Sequence, residues 1–184
     1  MSFIATEFPT DEGLPFIACE PVERTFFETA PQRYVNQVTL PCSADALFAV
    51  FEDPASWPRW ATGIGEVEWT SPKPYQPGTT RTVRFWGGMC VYEDFFLYDP
   101  PREMAFHFYG TSELVWSRFA EHYRVEALGD DRCRLTWTVA YEPAGVFGRL
   151  HLLIRPIMQL NFRMYMWRLR RYVARLRGTD PSAG

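Results

Sequence analysis

Apolar residues recur every three or four positions over the last part of the chain, from about Gly145 to Leu176. This spacing predicts an amphipathic helix, and about thirty residues at 1.5 Å each would make it roughly 45 Å long. Pro156 lies inside the segment, so we expect a kink or a break there, dividing a short lead-in from a long terminal helix. A helix of this length needs a concave surface of the protein to lie in.

Most of the chain before this helix has the pattern of strands separated by Gly and Pro turns. Residues 33–40 predict a first strand. Ser43 is the expected N-cap of a short helix, and Asp53-Pro54 begins a second short helical turn. Six further strands are then expected, at residues 64–69, 79–86, 89–98, 102–109, 114–128 and 133–141.

The short links between these strands favour antiparallel neighbours. A sheet of this size curls and its edges need covering, so the first strand should pair with the last. The order predicts an α+β, helix-grip fold: a curved antiparallel sheet of about seven strands wrapped around the long C-terminal helix, with two short helices after strand one.

Four segments carry a resemblance to a known group: ADALFAVFEDPASWPRW, DPPREMAFHF, HYRVEALGDDRCRLTWTV and GRLHLLIRPI. The chain resembles the START-like (SRPBCC) superfamily, and within it the polyketide cyclase/dehydrase branch, over about residues 33–177. The resemblance implies a deep hydrophobic cavity between the sheet and the C-terminal helix. Members bind lipids, sterols, quinones, polyketides or plant hormones, and some catalyse cyclisation or dehydration. We therefore expect an N-terminal arm (1–31), a START-like ligand-binding domain (32–177) and a flexible tail (178–184).

Alternation along each strand assigns side chains to the cavity face or to the opposite face. On the helix, the four side chains that we expect to face the cavity are those at 158, 162, 165 and 169. The complete set predicted to contact a ligand is Val83, Phe85, Phe106, Phe108, Phe119, Tyr123, Trp137, Met158, Phe162, Tyr165 and Leu169.

Glu121 is the one charged residue that this alternation places inward. A carboxyl group in an apolar pocket has a raised pKa and can act as a general acid or bind a ligand hydroxyl. Three alternatives remain: a place at the cavity mouth, an arginine partner, or a bulge near Trp116 that turns Glu121 outward. His107 and His122 fall on the solvent face, and His151 is expected at the surface.

Composition narrows the class of protein without naming a ligand. A hydrophobic content of 47% excludes a disordered chain. The 17% of aromatic residues suit a ring-lined interior, or simply strands that pack with large residues. The four cysteines have no paired spacing, so we expect reduced thiols in a cytoplasmic protein, with neither metal nor cofactor. We expect no signal peptide and no transmembrane segment.

Charge is unevenly distributed along the chain. The net charge is −3, yet no acidic residue occurs between Glu142 and Asp180, where eight arginines lie. Such a helix suits an acidic ligand, a membrane surface or nucleic acid, or is a solvated face whose arginines complement the helix dipole. We favour the solvated face, and we expect no nucleic-acid binding because the outer strand faces mix signs.

Three hypotheses for function follow. The first is a protein that binds or carries a small hydrophobic molecule, such as a lipid, a quinone or a polyketide-like compound. The second is a cyclase or dehydratase in which Glu121 or a tyrosine moves protons. The third is an interaction module that docks on a partner or membrane through the basic helix. A homodimer through the N-terminal arm remains an open alternative.

Overall fold

The computed structural model describes residues 13–179. The part of the predicted arm before residue 13 and the part of the predicted tail after residue 179 lie outside the described residues. The elements, in chain order, are β1 (Ile17–Ala18), α1 (Phe26–Thr29), β2 (Gln32–Leu40), α2 (Ala44–Glu52), a 3-10 turn (Pro54–Ser56), α3 (Trp57–Trp60), β3 (Ile64–Trp69), β4 (Thr79–Phe85), β5 (Cys90–Asp99), β6 (Glu103–Thr111), β7 (Trp116–Ala127), β8 (Cys133–Pro143) and α4 (Gly145–Thr179).

The sheet is antiparallel and its strands lie in the order β2-β8-β7-β6-β5-β4-β3. The first long strand, β2, pairs with the last, β8, from Gln32 opposite Tyr141 to Leu40 opposite Cys133. The long helix α4 packs against β2, β7, β8 and α3. The predicted α+β helix-grip fold is confirmed.

Two capping residues determine where the short helical segments after β2 begin. The Ser43 hydroxyl accepts a hydrogen bond from the Ala46 N–H at 3.1 Å and so begins α2. The Asp53 carboxylate accepts from the Ala55 N–H at 3.0 Å, where α2 ends and the 3-10 turn begins. Phe51 and Trp57 then reach the Tyr123 ring of β7, with ring centroids 5.2 and 6.3 Å away. The two helices therefore close one end of the curved sheet.

Helix α4 is continuous from Gly145 to Thr179, with Pro156 inside it, so the expected break is absent. Proline removes one backbone hydrogen bond, and the turns on either side continue the helix. Phe162, Leu169 and Val173 are buried against the sheet. No helix in the described part of the chain is long and apolar enough to cross a membrane.

The outer face of the sheet carries a second, smaller core, which the sequence analysis did not foresee. Phe26 and Phe27 of α1, in the segment predicted to be an N-terminal arm, are buried there. They fill a hollow left by three small side chains on adjacent strands, Ala105, Ala120 and Ala140. Farther along, β1 pairs with Gly110 and Thr111 of β6. The described part of the arm therefore folds back on its own sheet: α1 covers the outer face, and β1 adds a short strand beside β6.

The covered outer face corrects the predictions for the histidines. His122 is buried beneath Phe27, at 5.4 Å between ring centroids, and its Nε2 lies 2.8 Å from Glu103 Oε2. His107 is buried beside Phe96, 6.1 Å away. Both were correctly assigned to the outer face, but that face is not solvent. His151 was expected at the surface and is buried against Tyr141 and Phe147.

Candidate functional site

A cavity of about 150 Å³ lies between the inner face of the sheet, α3 and α4. Ten of the eleven side chains predicted to contact a ligand line it. Leu169 does not: it is fully buried one helical turn beyond the cavity, in the core. The lining consists of Trp57, Trp60, Ala61, Ile64, Arg81, Val83, Phe85, Glu93, Phe106, Phe108, Trp116, Phe119, Glu121, Tyr123, Trp137, Met158, Asn161, Phe162 and Tyr165.

Stacked rings on neighbouring strands form much of the wall. Phe108 of β6 and Phe119 of β7 stack with ring centroids 4.1 Å apart. Tyr123 of β7 and Trp137 of β8 lie directly opposite each other in the register, 5.8 Å apart. Side chains alternate across a strand, so successive rings on each strand reach the same face. A bulge between Trp116 and Arg118 interrupts that alternation and adds Trp116 to the lining.

Glu121 lies in this wall. Its Oε2 accepts hydrogen bonds from the Tyr123 hydroxyl at 2.5 Å and from Trp137 Nε1 at 2.8 Å. Burial raises the pKa of Glu121 to about 7, because the charged form loses its hydration, and the two hydrogen bonds only partly oppose this. The bulge that was an alternative explanation lies beside Trp116 and leaves Glu121 inward. At neutral pH this carboxyl group can therefore either give or take a proton.

Two further charged residues line the cavity, and the sequence analysis missed both. Arg81 of β4 and Glu93 of β5 are 1% and 4% exposed, and Arg81 Nε lies 2.5 Å from Glu93 Oε2. Burial raises the pKa of Glu93, and the neighbouring guanidinium opposes that shift. Glu121 is therefore not the only inward charge. The missed signal was alternation: Arg81 is two residues from Val83, and Glu93 lies between Val91 and Phe95.

The Arg81 guanidinium is sandwiched among aromatic rings. It lies 4.4 Å from the Trp57 ring centroid and 5.1 Å from those of Phe95 and Phe106. Cation–π attraction at a desolvated site strengthens this placement. A buried guanidinium held by one carboxylate and several rings therefore lines the same cavity as the ionisable Glu121.

Three residues of the cavity lining each carry a buried N–H group with no hydrogen-bond partner among the described residues: Arg81 Nη1, Trp60 Nε1 and Trp116 Nε1. An unpaired buried donor is unfavourable, by about 1–3 kcal/mol. In this cavity the unpaired groups are donors, so they complement a molecule that carries acceptor oxygens.

Two further tyrosines do not add a free hydroxyl group to the cavity. The Tyr165 hydroxyl donates to the Thr62 carbonyl oxygen. Tyr92 is buried away from the cavity, where it packs on Tyr109. Within residues 13–178 no three His, Cys, Asp or Glu side chains are grouped so as to hold a metal ion. Proton transfer and hydrogen bonding are thus the chemistry that the lining residues themselves offer.

Comparison with known proteins agrees with this architecture. Residues 31–174 match the family described as "Polyketide cyclase / dehydrase and lipid transport". The uncharacterized protein Rv2574 of Mycobacterium tuberculosis is 44% identical over 154 residues, which cover 84% of this chain and 92% of that protein.

Two solved structures share the fold at low sequence identity. The Zhui aromatase/cyclase from Streptomyces sp. R1128 has a TM-score of 0.66 at 14% identity, covering 83% of this chain and 98% of its own. A START superfamily protein from Mycobacterium smegmatis has a TM-score of 0.56 at 10% identity, covering 74% and 98%. The predicted superfamily is confirmed: this chain belongs to the polyketide cyclase/dehydrase and lipid transport family.

Proposed function

We propose that the protein binds a small hydrophobic molecule in this cavity, specifically an aromatic ring that carries one or more acceptor oxygens. The observation that supports this most directly is the set of three unpaired donors, Arg81 Nη1, Trp60 Nε1 and Trp116 Nε1, on residues of a largely aromatic lining. Rings supply contact area, and a few polar groups fix orientation. The family description, which names polyketide cyclisation and lipid transport, is consistent with such a ligand.

The size of the cavity favours a ligand of one ring over a long chain. A cavity of about 150 Å³ is comparable with an engineered apolar cavity known to bind benzene. It is smaller than the ~300–1,000 Å³ of pockets for drug-sized molecules. A larger ligand would need α4 or its side chains to move outward.

Calorimetric titration with three probes of similar shape tests this proposal: ethylbenzene, acetophenone and benzoate. The first has no acceptor, the second has a carbonyl oxygen and the third has a carboxylate. We expect acetophenone to bind more tightly than ethylbenzene by about three- to tenfold, the effect of one good hydrogen bond. Equal affinities for ethylbenzene and acetophenone, or no binding of any probe, would contradict the proposal.

Two variants show whether the donors cause the preference. Trp60→Phe and Trp116→Phe each remove one N–H while keeping a ring, so either should reduce the advantage of acetophenone over ethylbenzene. Trp167→Phe is the matched control, because Trp167 is exposed on α4 and does not line the cavity. A preference that survives in both cavity variants would leave Arg81 as its source.

A second candidate function, acid–base catalysis of the cyclase or dehydratase kind, is favoured by one observation. The pKa of Glu121 is raised to about 7, where a carboxyl group transfers protons most effectively near neutral pH. Glu121 as carboxylate would remove a proton from the carbon beside a ligand carbonyl. The resulting enolate oxygen would accept hydrogen bonds from the unpaired donors.

Exchange of the methyl protons of acetophenone for deuterium in D2O, followed by NMR, tests this second function. The carboxylate takes a proton from carbon and the carboxyl group returns a deuteron, so no other reactant is needed. We expect catalysed exchange that is lost in Glu121→Gln while acetophenone affinity is kept. Exchange no faster than in buffer, with the probe bound, would leave binding as the function.

A further inference from the structure

Helix α4 has two apolar faces, of which only one is used by the cavity and core. The second, here called the outer stripe, consists of Val146, Leu150, Leu153, Ile157, Leu160, Met164 and Trp167. These side chains are between 38% and 74% exposed. Leu152, beside the stripe, is 79% exposed. From sequence the two faces cannot be told apart, because both have apolar residues at helical spacing.

The outer stripe is regular. Its residues are separated alternately by four and three positions, which keeps them along one side of the helix. From Val146 to Trp167 it extends over about 32 Å at 1.5 Å per residue. Contiguous apolar surface of this kind on a water-exposed element marks an interaction site rather than scattered surface residues.

The charges beside the stripe are all of one sign. Arg149, Arg163 and Arg170 are exposed, and none of them forms an ion pair with an acid in the described part of the chain. All 22 acidic residues of the sequence lie outside α4. A leucine-rich stripe bordered by unpaired arginines is the pattern of a helix that lies in the interface of a membrane.

A second copy of the same helix fits this surface poorly. Helices that pair through an apolar seam usually form salt bridges between opposite charges beside that seam. Two copies of α4 would instead bring arginines next to arginines. A surface of anionic lipids instead offers apolar chains to the stripe and phosphates to the arginines. Trp167, with the Arg171 guanidinium 4.6 Å from its ring centroid, has the amphipathic character found at such interfaces.

We propose that α4 docks through the outer stripe on a membrane surface that contains anionic lipids. The stripe would lie in the plane of the headgroups, with the flanking arginines on lipid phosphates. The cavity lies on the other side of the helix, so docking does not require a particular ligand in the cavity.

Co-sedimentation of the full chain with vesicles tests the proposal. The probes are vesicles of phosphatidylcholine alone and of phosphatidylcholine mixed with phosphatidylserine, at low and high salt. We expect binding to the mixed vesicles that weakens with salt and nearly disappears without phosphatidylserine. Leu153→Ser combined with Leu160→Ser should lower the partition coefficient at least about tenfold, and Arg163→Gln with Arg170→Gln about tenfold.

Exposed residues elsewhere provide matched controls. Val35→Ser replaces an apolar side chain that is 47% exposed on β2. Arg33→Gln with Arg124→Gln removes two exposed arginines from the sheet. Both controls should bind vesicles like the unaltered protein. All four replaced α4 side chains are exposed, so circular dichroism should show unchanged folding.

Three results would overturn the proposal. They are no binding to either kind of vesicle, equal binding of the stripe variant and its control, and a dimer in solution that Leu153→Ser with Leu160→Ser dissociates. The last result, measured by analytical ultracentrifugation, would assign the stripe to a second copy of this chain.

Discussion

Glu121 and His122 are neighbours in β7, yet the two faces of the sheet bury them in different ways. On the outer face, His122 Nε2 has Glu103 Oε2 within 2.8 Å, so its potential charge has a partner. On the inner face, Glu121 has only the neutral donors of Tyr123 and Trp137 within hydrogen-bond distance. The Glu121 carboxyl group therefore has no oppositely charged partner within hydrogen-bond distance, and it borders the cavity. Burial alone thus does not mark a site; burial without a partner beside a cavity does.

Arg81→Met should lower the free energy of unfolding more than any other change proposed here, and it tests the difference between the two faces. It leaves the Glu93 carboxylate buried without its partner, so we expect a loss of about 3–5 kcal/mol in the free energy of unfolding. Urea denaturation measures this. Arg24→Met is the outer-face control, because Arg24 pairs with Glu103 at 3.3 Å while its side chain is 63% exposed. A loss below about 1 kcal/mol is expected there, and equal losses would erase the distinction.

The outer core is tested by Phe27→Ala. Phe27 is buried over the alanine hollow, and removing a buried phenylalanine ring costs about 3 kcal/mol or more. Thermal or urea unfolding should show the loss, while acetophenone affinity should not change because Phe27 is absent from the cavity lining. Phe27→Leu should recover most of the stability. A change in affinity as large as that in stability would mean that the two faces are coupled.

The pH dependence of stability should reveal Glu121. Its pKa is raised from 4.5 to about 7 in the folded protein, so the folded state holds this proton more tightly than the unfolded chain. The associated stability is complete below about pH 4.5 and is lost as the pH rises through 7. Relative to Glu121→Gln, the protein should therefore lose about 3 kcal/mol between pH 4.5 and alkaline pH. Parallel curves for the two proteins would contradict the raised pKa.

The contribution of His122 to the free energy of unfolding should change with pH in the opposite direction in the same experiment. Burial lowers its pKa, and Glu103 only partly opposes this. The unfolded chain then binds the proton more tightly, so stability is present above the ordinary histidine pKa and falls as the pH drops. His122→Gln should remove a rise in stability with pH below about 6.5, whereas Glu121→Gln should remove a fall in stability between about pH 4.5 and 7.

The smallest effect is expected where β1 meets β6. A Cβ added at Gly110 would overlap the Phe16 ring, so Gly110→Ala must displace that ring. Phe16 is 45% exposed and can rotate away, and we expect a loss under about 1 kcal/mol. Hydrogen exchange should rise at residues 17 and 18 and stay constant around Glu121. Faster exchange at the cavity would show that the arm also supports the inner face.

The sequence predicted the strands, the capped helices and most of the cavity wall because each depends on local periodicity and turn residues. Arg81 and Glu93 were missed because an isolated charge in a strand normally faces water. Their burial depends on each other, and therefore on a pairing between strands. The burial of His122 was missed for a similar reason: it depends on Phe27, which finds its alanine hollow only in three dimensions. The exposure of Leu153 and Ile157 could not be predicted, because the apolar pattern of α4 does not say which face meets the sheet.

Three pairs of consecutive residues on α4 belong to different surfaces. Ile157, Leu160 and Met164 lie in the outer stripe, and the residues that follow them, Met158, Asn161 and Tyr165, line the cavity. Because one backbone carries both sets, a displacement of the helix changes the two surfaces together. If occupation of the stripe shifts α4, it must alter ligand affinity by some factor, and the ligand must alter occupation of the stripe by the same factor. A single helix, α4, would then couple ligand binding in the cavity to occupation of the outer stripe.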